Sequence, residues 1–220
     1  MRQFLSAGRF IDSDAPEVVD FAHAATAGAS SDLERVLRLY RAVRDHITYD
    51  PYVDFADPSN FRASGVLAAR RGFCIGKAAL LAACTRVIGT PARVGYANVK
   101  NHLTSARLYD WMKSDVFIWH SYAEILIADR WLKATPAFNL ALCERLGIEP
   151  LDFDGQSDSL FHAFDRAGRR HMEYLQDRGS FADVPFETIQ ADFRAAYPSL
   201  LNAKGLTGDF QTEAVAAINK

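Results

Sequence analysis

The alternation of apolar and polar positions predicts helices first, strands in the middle and helices again at the end. Asp14 to Ala27 reads as a first helix. Asp14 is placed to cap it, Pro16 suits its first turn, Val18, Val19 and Ala22 supply an apolar face, and Gly28 stops it. Ser31 then caps a second helix with Glu34 in capping-box spacing. Leu33, Val36, Leu37, Tyr40, Val43 and Ile47 recur there at the helical period until Asp50-Pro51 breaks it. Ser64 to Arg70 predicts a short helix that delivers Arg71-Gly72-Phe73-Cys74. From Cys74 to Ile88 the chain is rich in Ala and Leu and apolar nearly all round, the pattern of a central helix, and Gly89-Thr90-Pro91 ends it.

Ala92 to Val99 turns to strand-like sequence, and Lys100 to Ser114 reads as a polar, aromatic loop. Val116 to Ile127 alternates as a strand and returns through Ala128-Asp129-Arg130 into Trp131 to Thr135, a hairpin. Leu140 to Leu146 predicts a short helix closed by Gly147. Phe161 to Phe164 and Arg169 to Leu175 predict a second hairpin around Asp165-Arg166-Ala167-Gly168. Phe186 to Ala196 and Phe210 to Ile218 predict closing helices. That order implies an α+β fold. At 220 residues one domain accommodates the whole chain, 1–220.

Composition narrows the function. With 49% hydrophobic and 24% charged residues and a net charge of −2, the chain is ordinary globular sequence, and no global field points to nucleic acid or a membrane surface. No apolar run reaches the roughly 18 residues a bilayer span needs. The three cysteines, Cys74, Cys84 and Cys143, are too sparse for a disulfide framework, so a reduced, cytoplasmic setting is expected.

The candidate chemistry starts at Cys74. Gly72 permits a close backbone approach just ahead of it, and a helix beginning at the sulfur presents free amides and a positive dipole end that favour thiolate. Acyl transfer also needs a proton shuttle, and His120, mid-strand and on one face with Ile118, Tyr122 and Leu126, is the candidate. Cys84 and Cys143 read as packing residues, and His162 and His171 as a pair able to approach across the second hairpin, without the cysteine or carboxylate that would argue for zinc.

Three motifs in order resemble the transglutaminase-like superfamily. They are Arg71-Gly72-Phe73-Cys74 with the helix behind it, Arg86-Val87-Ile88-Gly89-Thr90-Pro91-Ala92-Arg93-Val94, and His120-Ser121-Tyr122-Ala123-Glu124 followed by Trp131-Leu132-Lys133-Ala134-Thr135-Pro136. The resemblance covers about residues 33–139 and leaves 140–220 as a C-terminal extension. It implies a papain-like core, with the cysteine helix packed on an antiparallel sheet, and a Cys-His-Asp site acting on amide bonds of peptides or proteins without metal or organic cofactor. Hydrolysis is favoured over amine transfer. The alternatives are a peptide-binding module that has lost chemistry and an arylamine-type acyltransferase.

One position departs from the family pattern. Where the family carries Asp before the proline of the return strand, this chain has Thr135, which can hold a hydrogen bond but brings no charge. A hairpin turn centred on Ala128-Asp129 puts His120 opposite Ala137 with Thr135 diagonal to it. A turn centred on Asp129-Arg130 puts it opposite Asn139 instead. The Cys74 amide is one candidate oxyanion donor, with Asn60 or Trp111 as a second.

Overall fold

The computed structural model describes residues 1–102, 104–160, 162–169, 171–199 and 208–213. The first half is helical: α1 (Pro16–Thr26), α2 (Asp32–His46), α3 (Ala63–Ala69) and α4 (Cys74–Val87), with the two-residue strands β1 (Thr48–Tyr49) and β2 (Arg71–Gly72) paired in parallel. Strand β3 (Ala92–Asn101) follows, then α5 (Ala106–Met112), β4 (Val116–Ile127), β5 (Arg130–Ala134), α6 (Leu140–Leu146), β6 (Met172–Phe181) and α7 (Phe186–Ala196). The main sheet is antiparallel in the order β5-β4-β3-β6.

Helix α4 is the hub. All but one of its residues are buried, as its uniformly apolar sequence requires. It is held by polar groups on its flanks. The buried ammonium of Lys77 donates to the carbonyls of Arg44 and Ile47, at the end of α2 and just beyond it. Burial holds that amine well below its ordinary pKa. Arg86, at the far end, donates to the carbonyls of Ala92, Ser6 and Ala182 and so ties α4 to the sheet and to both flanking segments. Gly76 lets the 3-10 turn Pro58–Phe61 lie directly on α4, since a Cβ there would stand 2.4 Å from the Asn60 carbonyl oxygen.

Most predicted elements appear close to their expected bounds. Ser31 caps α2 by accepting from the Glu34 amide at 3.2 Å, while the Glu34 carboxylate reaches back to Ser30, one residue before the reciprocal capping-box partner. Three expectations need correction. The Lys100–Ser114 segment contains α5, capped by Ser105 through the Leu108 amide at 3.2 Å. The second hairpin is not an isolated pair. Its turn at Asp165–Gly168 forms, but the chain then continues as β6 to Phe181 and pairs with β3 at the edge of the main sheet. The even-numbered face of β4 is interrupted, because Ile118 and Trp119 bulge out between the pairs Ala97↔His120 and Val99↔Phe117. Phe161 and most of the predicted closing helix lie outside the described residues; 210–213 are helical.

Candidate active site

Cys74 is the first residue of α4. The short β1–β2 pair anchors the segment ahead of it through Tyr49↔Gly72 and an ion pair between Arg71 and Asp50 at 2.9 Å. Phe73 precedes the helix in extended conformation and caps it with no side-chain bond, so the first-turn amides are left for the cysteine. The sulfur faces its own amide, that of Ile75 and that of Ser121. The last of these fixes the relation between helix and sheet. Strand β5 covers β4 only over Ala123–Ile127, which leaves the Ser121 amide, next to His120, turned toward the helix N-terminus.

His120 and Cys74 line one cleft of about 40 Å³, walled by Tyr49, Phe55, Phe73, Trp111 and Trp119. The structure therefore brings the two residues singled out in the sequence to the same place. Their protonation differs from the sequence expectation. Burial pushes the Cys74 thiol up to about 11 against the pull of the three amides. Burial, with the neighbouring His162 adding to it, pushes the His120 imidazole down to about 4. At neutral pH the pair rests as uncharged thiol and uncharged imidazole, because desolvation outweighs the helix terminus.

The bulge before His120 is what presents it, and it was not legible in the sequence. Trp119 adopts a left-handed backbone conformation (φ 60°), strained for a bulky residue. Its displaced amides are all satisfied. Ile118 donates to the Tyr197 hydroxyl at 2.8 Å, and Trp119 donates to Asn98 Oδ1 at 3.3 Å. The indole donates to Asp192 at 2.9 Å, and the Arg178 guanidinium lies 4.7 Å over the ring while donating to Asn98 Oδ1. Residues of β6 and α7 thus brace a bulge beside a candidate reacting group, a common position for such irregularities.

Thr135 follows β5. The turn is the two-residue Ala128-Asp129 type with both φ values positive, and the β4–β5 pairing ends at Ala123↔Ala134, after which the Thr135 amide donates to the Ser159 carbonyl. Thr135 lines a second, smaller pocket that His120 also lines, and its hydroxyl donates to the Leu160 carbonyl at 2.5 Å. Asn139 is elsewhere: its Oδ1 accepts the Tyr49 amide at 3.0 Å. Of the two candidate oxyanion donors, Asn60 is engaged with the Asp54 carbonyl at 2.8 Å. The Trp111 indole N–H is buried in the cleft wall without a partner among the described residues. Cys84 is fully buried in α4, and its thiol is pushed up by burial. Cys143 is also fully buried and pushed up to about 12.

A cysteine opening a buried helix against a histidine strand of an antiparallel sheet is the arrangement of the papain-like thiol folds. The family model of the transglutaminase-like superfamily matches residues 19–136, more than half of the chain, and the chain belongs to that superfamily. A comparison with curated proteins found no match. Among solved structures, a provisionally assigned cysteine protease of Cytophaga hutchinsonii is similar at 17% identity and a TM-score of 0.47, over 81% of this chain and 52% of that one. A TGase is similar at 18% identity and a TM-score of 0.45, over 90% and 52%. The chain spans about half the length of these two structures. Among the described residues no helix is long and apolar enough to cross a membrane.

Proposed function

We propose that this protein is a thiol enzyme that cleaves amide or peptide bonds through an acyl-enzyme on Cys74. The observation that carries the reading is the shared cleft of Cys74 and His120, with the amide beside His120 directed at the sulfur. Because both groups rest uncharged, His120 acts as general base while the carbonyl arrives, not as half of a standing ion pair. The sulfur attacks the carbonyl carbon as the thiol proton passes to His120. The oxyanion is received by the Cys74 amide and the Trp111 indole N–H, a buried donor of the cleft that lacks an acceptor among the described residues. Collapse of the intermediate breaks the C–N bond, and His120 returns the proton to the departing amine. Water, deprotonated by His120, then releases the acid. An amine in place of water would complete a transfer by the same steps. The apolar, aromatic walls suit a peptide or protein segment with an unbranched or flat apolar group beside the scissile amide.

The test is alkylation. Iodoacetamide near neutral pH should label Cys74 well ahead of Cys84 and Cys143, and His120→Phe should slow that labelling. Equal, slow labelling of all three thiols would leave the cleft as a peptide-binding module without chemistry.

A further inference from the structure

Three buried imidazoles stand in one cluster behind the cleft. The His162, His171 and Phe138 rings form a triangle of near-parallel rings, with centroids 5.6 Å (Phe138–His162), 5.7 Å (His162–His171) and 6.1 Å (Phe138–His171) apart. Among the described residues no third ligating side chain joins His162 and His171 to make a metal site. The backbone of Glu149 favours a proton on the His162 ring. Its Nε2 is buried with no partner among the described residues. His120 has the matching need, since its Nε2 is also buried and unpartnered. Both rings line the small pocket that Thr135 also lines, a space of about 10 Å³, the room of one water molecule. Thr135 has given its proton to Leu160, so its oxygen offers only lone pairs there.

We infer that His162 replaces the missing carboxylate as the positioning residue for His120, through one water held by His120 Nε2, His162 Nε2 and Thr135 Oγ1. The water accepts from His120 Nε2–H and donates to His162 Nε2 and Thr135 Oγ1. That makes three bonds, which satisfies a buried water and all three side chains. His120 is thereby held with its proton on Nε2, which leaves Nδ1 as the base for Cys74. The arrangement supplies the orienting half of a carboxylate's role and none of its charge. It rests on the pairing of Cys74 with His120 proposed above.

The test uses the full chain labelled with ¹⁵N-histidine. At pH 7, long-range ¹H–¹⁵N correlation should show His162 as the Nδ1–H tautomer and His120 as the Nε2–H tautomer. A His162 carrying its proton on Nε2 would put two donors face to face across the pocket and overturn the inference without any variant. His162→Phe keeps the stack but removes the acceptor. His120 should then lose its single tautomer, and Cys74 alkylation should slow about tenfold at an unchanged melting temperature. His162→Gln, which retains an acceptor, should recover most of the rate. A His162→Phe protein with wild-type alkylation and the wild-type His120 tautomer overturns the proposal. Failure of the catalytic reading is seen separately, as a Cys74 alkylation rate that His120→Phe does not change, while the His162 tautomer still reports on the pocket.

Discussion

His120, His162 and His171 are all buried and all have imidazoles pushed down to about 4, chiefly by burial. In the unfolded chain each reverts to the ordinary value of about 6.5. The unfolded state therefore binds more protons wherever the pH lies between those values, and stability must rise with pH across that window. The contribution is complete above about pH 6.5 and is lost as the pH falls toward 4. Taking pH 7.5 to 4.5, each ring costs on the order of 2–3 kcal/mol and the cluster several kcal/mol, with repulsion between protonated rings coupling their titrations. A typical domain has only about 5–15 kcal/mol in all. The steepest slope approaches about 4 kcal/mol per pH unit near pH 5, where the unfolded chain takes up nearly three extra protons. Urea unfolding at pH 7.5, 6.5, 5.5 and 4.5 measures this directly. His171→Phe keeps a flat ring in the cluster and deletes one titrating group, so it should recover about a third of the acid loss. A free energy of unfolding flat from pH 7 to 5, or the same slope in His171→Phe, refutes the reasoning. The acidic groups held low by partners, such as Asp45 beside Arg44, lose their contribution only below the histidine window.

Two further substitutions probe how the site is held. Gly76→Ala places a methyl 2.4 Å from the Asn60 carbonyl oxygen and 2.6 Å from Val66. It should cost about 1–3 kcal/mol in urea unfolding and slow Cys74 alkylation by shifting the start of α4; full stability would refute the close packing. Asn98→Leu removes the acceptor shared by the Trp119 amide and Arg178, so the bulge relaxes and His120 is re-aimed. The expected result is a loss of at least about tenfold in Cys74 alkylation for a stability change of only about 1–2 kcal/mol, and loss of both in proportion would count against a specific role.

What could be read from the sequence follows from which interactions are local. The apolar density of 74–88 implied a buried helix, and the structure buries it. Ser31 before an amphipathic run announced its own cap. The register of the β4–β5 hairpin was left between two alternatives because the sequence Ala128-Asp129-Arg130 supports either turn centre; positive φ at Ala128 and Asp129 selects one. Helix α5 was missed because Lys100–Ser114 mixes charges and aromatics without a clear period, and only packing of Leu108, Trp111 and Met112 against the cleft reveals its face. The bulge at Trp119 was invisible for a deeper reason. Its bracing groups, Asn98, Arg178, Asp192 and Tyr197, come from three other elements, and no local pattern encodes their meeting. His162 and His171 were paired correctly in expectation, but their relation to His120 depends on β6 joining the main sheet beside β3.

The same burial that makes the histidine cluster an acid liability also sets the chemistry. Exposing the cleft to solvent would restore the ordinary pKa values of Cys74 and His120 and permit a standing thiolate–imidazolium pair, yet it would also flood the pocket behind His120. In the proposed mechanism, burial keeps the resting pair neutral and charge appears only when a carbonyl occupies the cleft, beside donors already in place. A carboxylate at position 135 would work against that design, since a third buried group would then carry charge in the resting state and draw a proton onto His120. Thr135 in place of Asp is therefore consistent with a site whose other groups are all held neutral, and an acidic limb in any activity profile should track the unfolding of the histidine cluster, not the titration of a preformed ion pair.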